Sequence, residues 1–144
     1  MHFRSDPEKH QQLIDELHGL FRSKGYRIIA GEGIPGLPLP RPLPNDGYGD
    51  QENKAPDLHA FDEQTGCTII GEAKTGAGDF ETEHALTQYN VFLDQFDKQT
   101  GAPAILFIIV PASSVPAFNT LMTHYIHPDY WAKIVLVPSE STPS

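Results

Sequence analysis

At 144 residues the chain suffices for one domain with a real core, and its composition is that of an ordinary globular protein. No apolar run approaches the roughly 20 residues of a membrane span, the polar opening MHFRSDPEKH does not read as a signal peptide, and one cysteine, Cys67, excludes an internal disulfide and suits a reducing cytoplasm. Ten basic against nineteen acidic residues give a net charge of −9, concentrated in residues 42–100 with three bases and twelve acids, which argues against a tight stand-alone grip on nucleic acid.

Ser5-Asp6-Pro7-Glu8 opens a helix: a capping residue, proline in the first turn and acid near the positive end. Leu13, Ile14, Leu17, Leu20 and Phe21 form one apolar stripe, and Lys24-Gly25 closes the helix. Glu16 falls about 100° from the stripe centre, so two readings are open for it: an acid lent to a site, or a flanking surface charge. Tyr26 to Ala30 reads as a strand. Gly31-Glu32-Gly33-Ile34-Pro35-Gly36 then matches the letters of a dinucleotide fingerprint, but the alternating prolines of Leu37 to Pro44 forbid the helix that would receive a pyrophosphate. That stretch reads as polyproline II, either a stiff surface loop or a ligand for an aromatic groove. Asn45 to Lys54 continues it as a mobile segment, and a loop of this length entering just before Asp57 can cover a site there.

The organising stretch is Asp57 to Lys74, DLHAFDEQTGCTIIGEAK. Leu58 to Phe61 and Cys67 to Ile70 are β-prone, with Glu63-Gln64-Thr65-Gly66 as turn chemistry between them. Cys67 opens the second strand and reads as a buried thiol. Pairing Asp62 with Cys67 across the turn puts Asp57 opposite Glu72 on one face, and strand alternation adds Lys74 to that face. A slip of one residue would turn Asp57 away. Two carboxylates this close repel unless a cation lies between them, and Mg²⁺ is commonly held by one or two carboxylates plus phosphate oxygens and water. The plain alternative is a surface hairpin whose Glu72/Lys74 pair contributes almost nothing.

Thr75 to Asp79 is a flexible turn into a second helix over about 81–98, with Ala85, Leu86, Tyr89, Phe92, Leu93 and Phe96 as its stripe. Gln88 sits at the stripe edge, either within reach of a phosphate or simply facing solvent. Ala104 to Val110 is a continuous apolar run, as expected of a strand covered on both faces. Ser113-Ser114 with Pro116 starts a third helix, Trp131 to Val137 is a last strand, and the tail from Ser139 reads as loose. Competing sites are weaker: His124 and His127 with Asp129 lack a third strong ligand nearby, and His59, which shares the parity of Asp57, reads as a packed histidine.

The expected fold is therefore α/β: one domain, 1–144, whose mixed β-sheet is flanked by helices, an αβββαβ core with an additional C-terminal helix and strand. This order, with Pro56-Asp57 opening the second strand and Glu72-Ala73-Lys74 ending the third, resembles the PD-(D/E)XK nuclease superfamily, which includes restriction endonucleases and Holliday junction resolvases. The resemblance covers about residues 6–110. It implies that Asp57, Glu72 and the Ala73 carbonyl bind Mg²⁺ or Mn²⁺, that Lys74 acts with the attacking water, that Glu16 can join as an acid from the first helix, and that Gln88 with Phe92 matches a glutamine–aromatic pair on the following helix. The implied activity is metal-dependent DNA hydrolysis, with a homodimer expected for cutting two strands. The acidic surface and the 31–56 insertion depart from that pattern and keep open a catalytically silent binding or assembly module acting through its proline-rich loop.

Overall fold

The computed structural model describes residues 7–140. Helix α1 (Pro7–Ser23) leads into strands β1 (Arg27–Gly31), β2 (Leu58–Asp62) and β3 (Cys67–Ala73), then α2 (Glu83–Leu93), β4 (Ile105–Pro111), α3 (Val115–Tyr125) and β5 (Ile134–Ser139). The five strands form one sheet in the order β1-β2-β3-β4-β5. β1, β2 and β3 pair antiparallel, whereas β4 and β5 run parallel to β3 through the α2 and α3 crossovers. This is the expected α/β architecture, a mixed sheet between helices.

Two cores explain it. On one face the α1 stripe of Leu13, Ile14, Leu17 and Phe21 packs on Leu58, Ala60, Ile69, Phe107 and Ile109. On the other, α2 and α3 bring Tyr89, Phe92, Phe118 and Leu121 onto Ile70, Leu106, Ile108 and Val110. β4 supplies both cores, which is why its sequence shows no alternation. Gly71 lets α1 approach, since a Cβ there would lie 2.8 Å from Leu17 Cδ2 and 3.1 Å from Phe21 Cζ. The β2–β3 turn is set by Asp62, whose carboxylate accepts from Gln64 N at 3.0 Å and Thr65 Oγ1 at 2.9 Å, while Gly66 takes φ 77°.

Several boundaries move. α2 ends at Leu93, short of what its apolar stripe suggested. Gln95 Nε2 donates to the Val91 carbonyl at 2.9 Å while Gln95 N turns to the Phe92 carbonyl at 3.3 Å, and Asp97 then draws the N–H groups of Gln99 and Thr100, each at 2.8 Å, into a separate turn. Phe96 is thereby left outside the helix and exposed. Residues 128–133 form a 3₁₀ turn, so β5 starts at Ile134 rather than Trp131. Ser139 is not part of a loose tail: it ends β5, buried, with its hydroxyl 2.7 Å from Glu16 Oε1. The expected cap residues Ser5 and Asp6, and tail residues 141–144, lie outside the described residues. Cys67 is half-buried rather than fully enclosed.

The segment expected to be mobile is tied down. Asn45 accepts from Gly47 N and Tyr48 N and donates to the Tyr48 and Glu52 carbonyls. Leu43 and Lys54 pair through both backbone bonds, at 2.6 and 3.1 Å. The resulting loop lies along α2, with Tyr48 Oη 3.3 Å from Asp94 and Gln95 Nε2 3.1 Å from the Pro44 carbonyl.

Candidate functional site

The β2–β3 register is the one derived from the turn: Asp62 faces Cys67 and Leu58 faces Gly71, with Asp57 N donating to the Gly71 carbonyl at 3.0 Å. Asp57 and Glu72 therefore stand side by side at one end of the sheet. Lys74 follows directly, its backbone N–H held by the Ile109 carbonyl at 3.0 Å. All three are buried, with 8%, 2% and 6% of their surface exposed, yet they line an open depression of about 600 Å³. Ala73, His10, Gln11, Glu32, Asp79, His84 and Gln88 contribute to the same wall.

Each side chain is fixed by a neighbour. Asp57 Oδ2 accepts from Ala73 N at 2.8 Å and lies 3.3 Å from His10 Nε2. Lys74 Nζ lies 3.3 Å from Glu72 Oε2 and donates to Gln88 Oε1 at 2.6 Å. An ammonium has three donors, so one remains for a ligand. Gln88 is buried in the site rather than facing solvent. Glu72 Oε1 is fully buried and has no hydrogen-bond partner among the described residues. Leaving a buried carboxylate oxygen unpaired is costly, and the cost shows in its acidity. Burial first, then the Asp57 charge, push the Glu72 pKa up to about 8 against the pull of Lys74. One shared ammonium does not offset complete enclosure beside a second acid. His10 is shifted upward by its bond to Asp57, with burial opposing.

Two participants went unread in the sequence. His10 and Glu32 bring ligand atoms that lie, with an Asp57 oxygen, all within 4.8 Å of one another. The signal for His10 was present: it precedes Leu13, Ile14 and Leu17 by three, four and seven positions, so the apolar stripe of α1 points it onto the sheet. Glu32 had no such signal. β1 pairs with β2 through a register shift between Ile28 and Ala30, after which Gly31 faces Leu58. The next pair is then Glu32 with Asp57, and Glu32 N donates to the Asp57 carbonyl at 3.0 Å. A regular ladder would have paired Glu32 with Pro56, so the bulge sets the third carboxylate beside Asp57.

Other candidates lie elsewhere. Glu16 is not brought into the cluster: its carboxylate meets Ser139 Oγ at 2.7 Å and Glu140 N at 3.2 Å, because six residues of helix separate it from His10. His59 lines a different groove, with Pro38, Leu39 and Pro42, and burial lowers its pKa. His124 is spent on the Thr120 carbonyl of its own helix at 2.9 Å, and His127 pairs with Asp129. The glycines after β1 open no helix, as the prolines required.

The donor set fits a divalent cation. Carboxylate oxygens from Asp57 and Glu32 converge with the His10 imidazole. Glu72 is not among those three, and it adds, beside Asp57, a buried oxygen without a partner among the described residues that a cation would satisfy. No protein-family model, curated protein or solved structure matches this chain. Among the described residues no helix is long and apolar enough to cross a membrane.

Proposed function

We propose that this protein is a metal-dependent phosphodiesterase of the PD-(D/E)XK type acting on DNA. The observation that carries the reading is the buried, unpartnered Glu72 Oε1 beside Asp57, on a carboxylate whose other oxygen, Oε2, lies 3.3 Å from the Lys74 ammonium that Gln88 holds. Such an arrangement destabilises the protein alone and becomes favourable around a cation.

Asp57 and Glu72, with the Ala73 carbonyl, would hold Mg²⁺ or Mn²⁺; His10 and Glu32 extend the donors around Asp57. A bound ion would polarise a phosphodiester and lower the pKa of a water for in-line attack. Lys74, oriented by Glu72 and Gln88, directs its remaining N–H to that water or to a phosphate oxygen and offsets charge as the phosphorane forms. Asp57 is oriented by Ala73 N, so it faces the site without rotating. In that hydrolysis the water oxygen would bond to phosphorus as the bond to the leaving oxygen breaks, the water's proton passing to solvent and the departing oxygen taking one from solvent.

The acidic surface makes the cation part of the grip on DNA and favours a weak or partner-assisted complex. The same reading expects a homodimer in the cytoplasm; sedimentation showing only monomer at tens of micromolar would remove the dimer. Cleavage of mixed DNA in Mn²⁺ or Mg²⁺, abolished by both Asp57→Ala and Lys74→Ala, is the expected result. An intact site that cleaves no nucleic acid with any divalent ion would leave the silent-module reading in its place.

A further inference from the structure

His84 is a donor in the depression that the metal chemistry does not use. It lies in the first turn of α2, one turn before Gln88, and both line the depression. Its Nδ1 is 2.8 Å from Lys54 Nζ. An ammonium offers hydrogens and no lone pair, so Nδ1 accepts, and the neutral ring carries its proton on Nε2. Nε2 has no hydrogen-bond partner among the described residues.

Lys54 is itself held firmly. It is 2% exposed, with Nζ 2.7 Å from Asp50 Oδ2 and 3.4 Å from Glu52 Oε1. The ammonium thus bonds to each of Asp50, Glu52 and His84, whose ligand atoms cluster closely enough for a metal ion, and serves as their cation. The loop is anchored to α2 beside it: Asp50 N donates to Thr87 Oγ1 at 3.3 Å, and Gly49 packs against the same threonine. The charged groups around the ring are Lys54, Asp50 and Glu52 from the loop, and Lys74 from the end of β3. Burial and the two lysines hold the ring below its usual pKa against the two acids.

We propose that His84 is a substrate-binding residue whose Nε2–H donates to a phosphate oxygen of the strand next to the phosphate at the metal centre, with Lys54 as the positioning residue that keeps the proton there. The proposal rests on the phosphodiesterase reading. With Nδ1 held by Lys54, the neutral ring offers a directional donor at Nε2.

The test is fluorescence anisotropy with a short, labelled, mixed-sequence single-stranded DNA in Ca²⁺, with thermal melts of each variant and Mn²⁺-dependent cleavage by the wild type alongside. His84→Ala should weaken binding about tenfold while melting within a few degrees of the wild type. Lys54→Met should free Nδ1 and release Asp50 and Glu52, so the ring charges as pH falls through its usual range. Its affinity relative to wild type should then rise at about pH 6, and His84→Ala in the same background should remove that rise. Wild-type binding that His84→Ala leaves intact overturns the proposal and spares the nuclease reading. A wild type that neither binds nor cleaves overturns both. A Lys54→Met variant without the pH response removes the role given to Lys54.

Discussion

Replacing Glu72 with glutamine should stabilise the metal-free protein while destroying its activity. Glu72 is enclosed, its Oε1 has no partner, and its folded-state pKa is raised from 4.5 to about 8. A folded value above the unfolded one means that the carboxyl favours folding most fully below its unfolded pKa, where it is protonated in both states. That contribution is lost as pH rises toward 8. Between these values each unit of pH costs up to about 1.4 kcal/mol, a ceiling near 3 kcal/mol at neutral pH. Relaxation and water entry reduce this, and about 2 kcal/mol is a reasonable expectation. Glutamine keeps an oxygen for Lys74 and cannot ionise. For a domain of this size the variant should melt roughly 4–8 °C higher near pH 7–8, with the gap narrowing toward pH 5. Circular-dichroism melts in EDTA measure this directly. Adding Mn²⁺ should raise the wild type more than the variant and narrow the gap. A gap independent of pH, or a glutamine variant less stable at pH 8, would show that Lys74 already offsets the Glu72 charge and would refute the reasoning.

Other consequences can be checked separately. Both His10 and Glu72 must shed protons to bind a cation, so Mn²⁺ affinity by calorimetry should rise from about pH 6 to pH 8; His10→Gln should weaken it about tenfold or more and flatten the pH dependence. Gly71→Ala should cost about 1–3 kcal/mol in urea denaturation, because a Cβ there meets Leu17, Leu58 and Phe21; by lifting α1 it should also weaken metal binding through His10. Gly49 sits at φ 49° against Thr87, so Gly49→Ala should loosen the loop from α2 and speed amide exchange over residues 43–54, with a smaller loss of global stability.

The helices and strands were legible because burial leaves a period in the chain. The α1 stripe, the unbroken apolar β4 and the four-residue turn at Glu63–Gly66 each needed only local reading. The turn alone then placed Asp57 opposite Glu72, since antiparallel pairing propagates register without further information. Element ends were less legible wherever side chains compete with the backbone, as Gln95 does for the Val91 carbonyl at the end of α2.

Thus the chain's own pattern determined the order of elements, the Asp57–Glu72 pairing and the face on which Lys74 follows. Only tertiary structure decided what gathers around them. Glu32 joins through a bulge that shifts one strand by a residue, His10 through the seating of a helix on the sheet, and Lys54 through a loop folded back on α2. Those contacts join residues far apart in sequence, so their geometry depends on how whole elements pack and no local period encodes it.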